Sequence, residues 1–184
     1  MKAMPAYTRT AISLHWLMAL LVLIAFPLGV VMHEMTFSPD KLRMLSYHKW
    51  LGVTIFILLI VRLLWRATHK PAPLLQNLPQ WQKMAATGVH VMLYVLLFAI
   101  PLSGWLMSSA KGFQTVYFGV LPLPDLIGKD KLLADILGEV HEVLNITMLI
   151  LFGAHVLAAL KHHFVDRDGT LARMLPFLNR SSLK

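Results

Sequence analysis

Cysteine is absent from the sequence, and its absence excludes several kinds of redox and structural site. Disulfides, iron–sulfur clusters, thioether-linked haem and thiolate zinc sites all require cysteine side chains. A glycine-rich phosphate loop and a nucleotide-binding fingerprint are also missing. Charged residues make up only 14% of the 184 residues, against about 25% in a soluble domain. With 57% hydrophobic residues, the chain is predicted to be an integral membrane protein.

Acidic residues are few, with nine Asp and Glu against 17 Lys and Arg, which gives a net charge of +8. The basic residues flank apolar runs, as membrane anchors usually do. The positive charge therefore predicts contact with membrane lipid and does not predict nucleic-acid binding.

Four apolar runs predict four membrane-spanning helices, at about residues 11–32, 48–65, 84–107 and 140–163. The first run is too long for a signal peptide and no small-residue cleavage site follows it, so it is predicted to be retained. The connections are predicted to be a polar loop from His33 to Tyr47, a proline-containing linker over 66–83 and a long loop over 108–139. A short helix at 129–139 is expected to lead into the fourth span.

The distribution of basic residues predicts the orientation of the chain. With the N-terminus inside, eleven of the 17 Lys and Arg residues fall on inner segments and six on outer segments. The positive-inside rule then places both termini in the cytoplasm. The predicted fold class is all-α: a transmembrane four-helix bundle that forms a single domain over residues 1–184.

Histidines recur at matched depths in these spans. His141 and His155 are 14 residues apart, so they lie on one helix face about 21 Å apart along its axis. His15 lies near the inner side and His48 near the outer side, which pairs His15 with His155 and His48 with His141. A single histidine in an apolar helix usually hydrogen-bonds to a neighbouring helix, but two depth-matched pairs predict bis-histidine ligation of two haem irons. A haem-free metal transporter is the alternative from another functional class.

Two further histidines have open roles. His90 lies at the inner depth and competes with His15 for the inner site, although a hydrogen-bonding role in the core is the simpler interpretation. His162 follows His155 by seven residues on the same face. It is placed either to bond a quinone carbonyl or to anchor the helix at the interface.

Three stretches resemble the bacterial cytochrome b561 family: SLHWLMALLV, YHKWLGV and GAHVLAALKHHFVDRDGTLARMLP. The resemblance covers nearly the whole chain and implies a four-helix cytochrome of the inner membrane with two haem b groups. It implies His15 and His155 as ligands of the inner haem, His48 and His141 as ligands of the outer haem, and His162 at the quinone site.

The resemblance also implies an activity, because one member type is a superoxide oxidase that passes electrons from periplasmic superoxide to ubiquinone. Two haems, each holding one electron, would bridge a one-electron donor and a two-electron acceptor. Lys41, Arg43 and Lys49 flank His48 and are predicted either to steer superoxide or to anchor the interface. The alternative function is an electron-transfer cytochrome that docks a redox partner protein.

Overall fold

The computed structural model describes residues 7–69 and 79–178 of the chain. Within these residues lie four long helices, a two-stranded hairpin and a short tail. The helices are α1 (Arg9–Glu34), α2 (Pro39–Thr68), α3 (Gln80–Ala110) and α4 (Lys131–Lys161). Each is long and apolar enough to cross a membrane. The predicted all-α architecture with four potential transmembrane helices is confirmed.

Side-chain caps explain where three of the helices begin. The hydroxyl of Thr8 accepts the backbone N–H of Ala11, that of Ser38 accepts the N–H of Lys41, and the carboxylate of Asp130 accepts the N–H of Leu133. Each bond satisfies one of the backbone donors that a helix start leaves without an internal partner.

Helix α2 begins nine residues before the predicted span, so the predicted loop from His33 to Tyr47 is wrong beyond Ser38. Ser38 caps this helix and Pro39 occupies its first turn. The negative charge of Asp40 interacts favourably with the positive end of the helix dipole. The helix expected at 129–139 is present from Lys131, but it is continuous with α4 and not a separate short helix, so the predicted loop over 108–139 is too long. In the predicted linker over 66–83, both ends are helical, and residues 70–78 lie outside the described part.

Pro101 lies inside α3, where a proline can kink a helix or end it early. The helix nevertheless continues beyond it to Ala110. A spanning helix tolerates proline where other groups satisfy the backbone acceptor that the proline leaves free.

A small hairpin was missed by the sequence analysis. Strand β1 (Val116–Tyr117) pairs antiparallel with β2 (Leu121–Pro122), and Phe118 and Gly119 both have positive φ at the turn, as a tight hairpin requires. Three side chains of α2 bind this region: Lys49 Nζ donates to Phe113 O at 2.8 Å, Trp50 Nε1 donates to Val116 O at 2.7 Å, and the Thr54 hydroxyl bonds the Tyr117 hydroxyl at 2.9 Å. The hairpin is therefore fixed over the first turns of the apolar part of α2.

The helices pack in sequence, α1 against α2, α2 against α3 and α3 against α4. Each contributes a buried apolar side chain to a narrow core, namely Met18, Leu59, Leu96 and Met148. Many other large apolar side chains are exposed, as expected where lipid is the solvent. We call the end of the bundle near Arg9, Thr68, Gln80 and Lys161 the terminal end, and the opposite end the hairpin end.

The tail turns back onto the terminal end of the bundle. A π-helical turn (His162–Asp166) follows α4, and a 3-10 turn (Leu171–Arg173) follows in the tail. The indole Nε1 of Trp16 donates to the Met174 carbonyl at 2.9 Å. This bond joins the tail to α1 at the residue next to His15.

Candidate functional site

At the hairpin end, the rings of His48 and His141 face each other. Their centroids are 6.3 Å apart and their planes are inclined by 82°. His48 projects from α2 and His141 from α4, and both side chains are half-buried. The structure therefore brings together the two residues that the sequence assigned to one depth.

Hydrogen bonds fix the same tautomer in both rings. Nδ1 of His48 lies 3.1 Å from the carbonyl of Ala25, and this oxygen can only accept. Nδ1 of His141 lies 2.9 Å from the hydroxyl of Ser103, which donates its own proton to Ile100 O. Both Nδ1 atoms therefore carry a proton and donate it, which leaves Nε2 of each ring as a free electron-pair donor for a metal.

Two glycines leave the space that these rings occupy. A Cβ on Gly29 would lie 3.1 Å from Cε1 of His48, and a Cβ on Gly104 would lie 3.1 Å from Cε1 of His141. Both distances are inside normal van der Waals contact, so any larger residue would push the ring. Gly29 follows Pro27 in α1 and Gly104 follows Pro101 in α3, so the two rings are seated by similar segments of sequence.

At the terminal end, three histidines meet. The rings of His15 and His155 have centroids 6.2 Å apart, with planes inclined by 70°. The His90 ring lies 5.1 Å from the His155 ring, and its Nδ1 bonds the carbonyl of Ala86 in its own helix at 2.7 Å.

The ring separations can be compared with the geometry of a shared metal. A metal lies about 2 Å from an imidazole nitrogen that binds it, and this nitrogen lies roughly 1.1 Å from the centroid of its ring. Two imidazoles on opposite sides of one metal therefore have centroids about 6.2 Å apart. The separations of 6.2 Å for His15–His155 and 6.3 Å for His48–His141 fit this value, whereas His90–His155 at 5.1 Å is too short.

The space beside the histidines suits a flat apolar group. A Cβ on Gly52, one turn after His48 on the same helix face, would meet no atom within 4 Å. Between the two histidine pairs, α1 and α4 border an apolar cleft whose walls include Phe26, Met148 and Phe152. The donor set, the ring separations and the apolar walls therefore fit haem b.

An arginine lies among the terminal-end histidines. The guanidinium of Arg62 donates through Nε to the Tyr94 hydroxyl at 2.9 Å, and both of its terminal nitrogens lie 3.2 Å from Nδ1 of His15. Arginine can only donate, so Nδ1 of His15 accepts here. A metal on Nε2 of His15 therefore requires the ring either to lose its proton or to leave Arg62. The sequence analysis treated Arg62 only as an anchor, and its spacing of 14 residues from His48 was the available signal.

A third cluster lies at the end of α4, outside both histidine pairs. Nδ1 of His162 lies 2.6 Å from Oδ2 of Asp168 and 3.0 Å from Oδ2 of Asp166, and Lys161 bonds Asp166 at 2.6 Å. Burial opposes ionisation of Asp168, but hydrogen bonds from Thr170 and His162 outweigh it and hold the pKa of Asp168 below its ordinary value. Asp168 is therefore a carboxylate throughout the neutral pH range. Neither aspartate was singled out from the sequence.

The basic residues at the hairpin end differ in their contacts. Lys41 donates to Met35 O, exposed Arg43 pairs with Asp40 at 3.6 Å, and half-buried Lys49 donates to Phe113 O. Lys111 directly follows α3 at the same end of the bundle. Of the three predicted steering residues, Arg43 forms an ion pair with Asp40, while Lys41 and Lys49 donate hydrogen bonds to carbonyl oxygens.

Comparison with known proteins gives a consistent result over most of the chain. The sequence model of the prokaryotic cytochrome b561 family matches residues 6–177. Cytochrome b561 homolog 2 of Escherichia coli (strain K12) is 35% identical over 164 residues, which cover 89% of this chain and 87% of that protein. A protein of Yersinia pestis named probable superoxide oxidase CybB is 31% identical over 179 residues, which cover 92% of this chain and 96% of that protein.

The family match, the four potential transmembrane helices and the facing histidines agree with one another. Because the family consists of b-type cytochromes, this is a multi-pass bacterial membrane protein that binds b-type haem and transfers electrons. The haem-free metal transporter is thereby set aside. The chain belongs to the prokaryotic cytochrome b561 family.

Proposed function

We propose that the protein is an oxidoreductase of the bacterial inner membrane that holds two haem b groups and passes electrons from periplasmic superoxide to ubiquinone. The observation that carries this proposal is the equal spacing of two histidine pairs, 6.2 Å at the terminal end and 6.3 Å at the hairpin end. The pairs are 14 residues apart along α4, or about 21 Å. Together they provide one electron site near each face of the membrane.

In this proposal His15 and His155 bind the inner haem iron, and His48 and His141 bind the outer one. When bound, each haem would supply an iron that accepts and releases one electron, and the two imidazoles of a pair would hold it. The Ala25 carbonyl and the Ser103 hydroxyl hold the outer imidazoles with Nε2 available for the metal. The positive charge of Arg62 beside His15 favours the reduced form of a metal at the inner site.

We orient the terminal end toward the cytoplasm and the hairpin end toward the periplasm, because more of the basic residues lie at the terminal end. Two superoxide ions release two electrons and become two molecules of dioxygen. One ubiquinone takes these two electrons and two protons and becomes ubiquinol. We place the quinone at His162, because this residue lies two turns beyond His155 in the chain and next to exposed apolar side chains such as Phe164 and Val165.

Superoxide is an anion, so a positive approach to the outer site would raise its rate of arrival. Lys49 is next to His48 in sequence, and Lys111 directly follows α3 at the same end of the bundle. Lys41 and Arg43 lie one to two turns before His48 on α2, but Asp40 offsets part of their charge. The proposed steering set is Lys41, Arg43 and Lys49, and we include Lys111 because it begins the loop after α3 at the same end.

A cytochrome that docks a redox partner is the second candidate, and one observation favours it. The hairpin tip exposes Phe118, Val120 and Leu121, with Val120 82% exposed, at the end of the bundle that carries the outer histidine pair. Such a partner would deliver electrons in place of superoxide.

Stopped-flow spectroscopy of the purified protein separates the two candidates. We expect superoxide alone to reduce the haems, and added ubiquinone to reoxidise them. Reduction should slow as ionic strength rises, and it should slow about 10-fold or more in a Lys41, Arg43, Lys49 triple alanine variant. The control is Lys131→Ala. This variant removes an exposed lysine at the hairpin end, where Lys131 pairs with Asp135. Haems that superoxide leaves oxidised would overturn the superoxide oxidase and favour the docking cytochrome.

A further inference from the structure

The His162 cluster has an unusual backbone. Residues His162–Asp166 form a π-helical turn, and Arg167 then adopts a left-handed conformation with φ 51° and ψ 39°. The N–H groups of Arg167 and Asp168 both donate to the His162 carbonyl. A left-handed conformation is uncommon for a residue other than glycine, and π-helical turns often occur at functional sites. This turn returns the Asp168 carboxylate to the side chain of His162.

We propose that Asp168 is a positioning residue that holds His162 for proton transfer to the quinone. The inference rests on the proposed function, which assigns the quinone to His162. Its structural basis is the contact of 2.6 Å between Oδ2 of Asp168 and Nδ1 of His162.

Asp168 is better placed for this role than Asp166. Its Oδ1 accepts the Thr170 N–H at 2.9 Å while its Oδ2 bonds His162, so both oxygens are held and the carboxylate has one orientation. Asp166 lies at 3.0 Å from the same ring nitrogen, but its Oδ2 is shared with Lys161 at 2.6 Å. Its negative charge is therefore largely compensated.

The tail keeps His162 and Asp168 close to the inner histidine pair. The bond from Trp16 to Met174 attaches the tail to α1, and the ring of Trp16 contacts the ring of His15 with centroids 5.3 Å apart. The charged groups on the segment of His162 are Lys161, Asp166, Arg167 and Asp168, and Arg173 belongs to the 3-10 turn that packs against it.

In the proposed step, His162 gives one proton to the quinone. With Nδ1–H donated to Asp168, the proton that His162 can give away is the one on Nε2. As two electrons reach the quinone from the inner site, Nε2 of protonated His162 transfers its proton to one quinone carbonyl oxygen, and a second proton comes from water. The neutral imidazole keeps its proton on Nδ1, still hydrogen-bonded to Asp168. Nε2 regains a proton from water after the quinol leaves.

The test is the reoxidation of the fully loaded, pre-reduced protein by ubiquinone with a short side chain, followed by stopped flow across pH. We expect Asp168→Asn to slow reoxidation about 10-fold or more, because the amide can donate to Nδ1 and impose the wrong tautomer. Its pH–rate profile should move to lower pH, because a negative charge beside the protonated ring is lost. Asp168→Glu should restore part of the rate.

A control variant and two further readouts distinguish the positioning role of Asp168 from the quinone site itself. Asp135→Asn removes an exposed carboxylate at the hairpin end and serves as the matched control. In Asp168→Asn, unchanged haem spectra and unchanged reduction by superoxide show that the fold is intact. If His162→Ala slows reoxidation while Asp168→Asn retains the wild-type rate and pH profile, the positioning role is overturned and the quinone site stands. A wild-type rate in His162→Ala would overturn both.

Discussion

At the scale of single residues, the ring distances in the structure identify the two histidine pairs more precisely than the sequence pattern does. Depth matching predicted which histidines share an end of the bundle, and the structure places His48 with His141 and His15 with His155. From the sequence, His90 competed with His15 as the partner of His155. The ring distances distinguish the two, because the centroids of His90 and His155 are 5.1 Å apart, which is too short for a shared metal. The roles of Ser103, Gly29 and Gly104 could not be predicted, because each depends on which residue of another helix faces it.

Gly104→Ala tests the seating of His141. The new Cβ would lie 3.1 Å from Cε1 of this ring, so the ring must move by a few tenths of an ångström and its bond to Ser103 must weaken. We expect a roughly 10-fold or greater loss of affinity for the outer haem, as for loss of a group that orients a metal ligand. Haem titration of the purified variant measures this affinity.

The matched control is Gly88→Ala in the same helix, where a Cβ would meet nothing within 4 Å. Gly88→Ala should bind haem like the wild type. Equal haem affinity in Gly104→Ala and the wild type would show that the glycine does not seat the ring.

At the scale of elements, the sequence predicted the apolar centres of the helices well and their ends poorly. The centres follow from hydropathy, but α2 begins at Pro39 because Ser38 caps it, and α4 begins at Lys131 because Asp130 caps it. The hairpin was missed because its two strands contain two residues each, too few for an alternating pattern. Its position depends on bonds from Lys49, Trp50 and Thr54, which lie more than 60 residues away in the chain.

Trp50→Phe tests whether α2 holds the hairpin. The variant keeps an aromatic ring beside Phe118 but removes the bond of 2.7 Å from Nε1 to Val116 O. A hydrogen bond of this kind contributes about 1 kcal/mol, so amide hydrogen exchange over residues 116–122 should be about fivefold faster. Trp81→Phe, at an exposed tryptophan of the terminal end, is the control. Unchanged exchange in Trp50→Phe would show that other contacts fix the hairpin.

At the scale of the whole molecule, the bundle carries one facing pair of histidines near each end. Helix α4 contributes a histidine to both pairs, while α1 and α2 contribute one each. Superoxide reaches the hairpin end and the quinone binds at the terminal end in the proposed function, so electrons must pass from the outer site to the inner site. This requires both sites to hold haem in the same molecule.

The most direct test of this central claim is the number of haem b groups per chain, measured by pyridine haemochrome analysis together with the reduced visible spectrum. The account predicts about two haems in the wild type and about one in each of His48→Ala, His141→Ala, His15→Ala and His155→Ala. Variants of one pair should share the same residual spectrum, and His90→Ala should retain two haems. One haem per wild-type chain, or a spectrum of His90→Ala that matches His155→Ala in place of His15→Ala, would contradict the account.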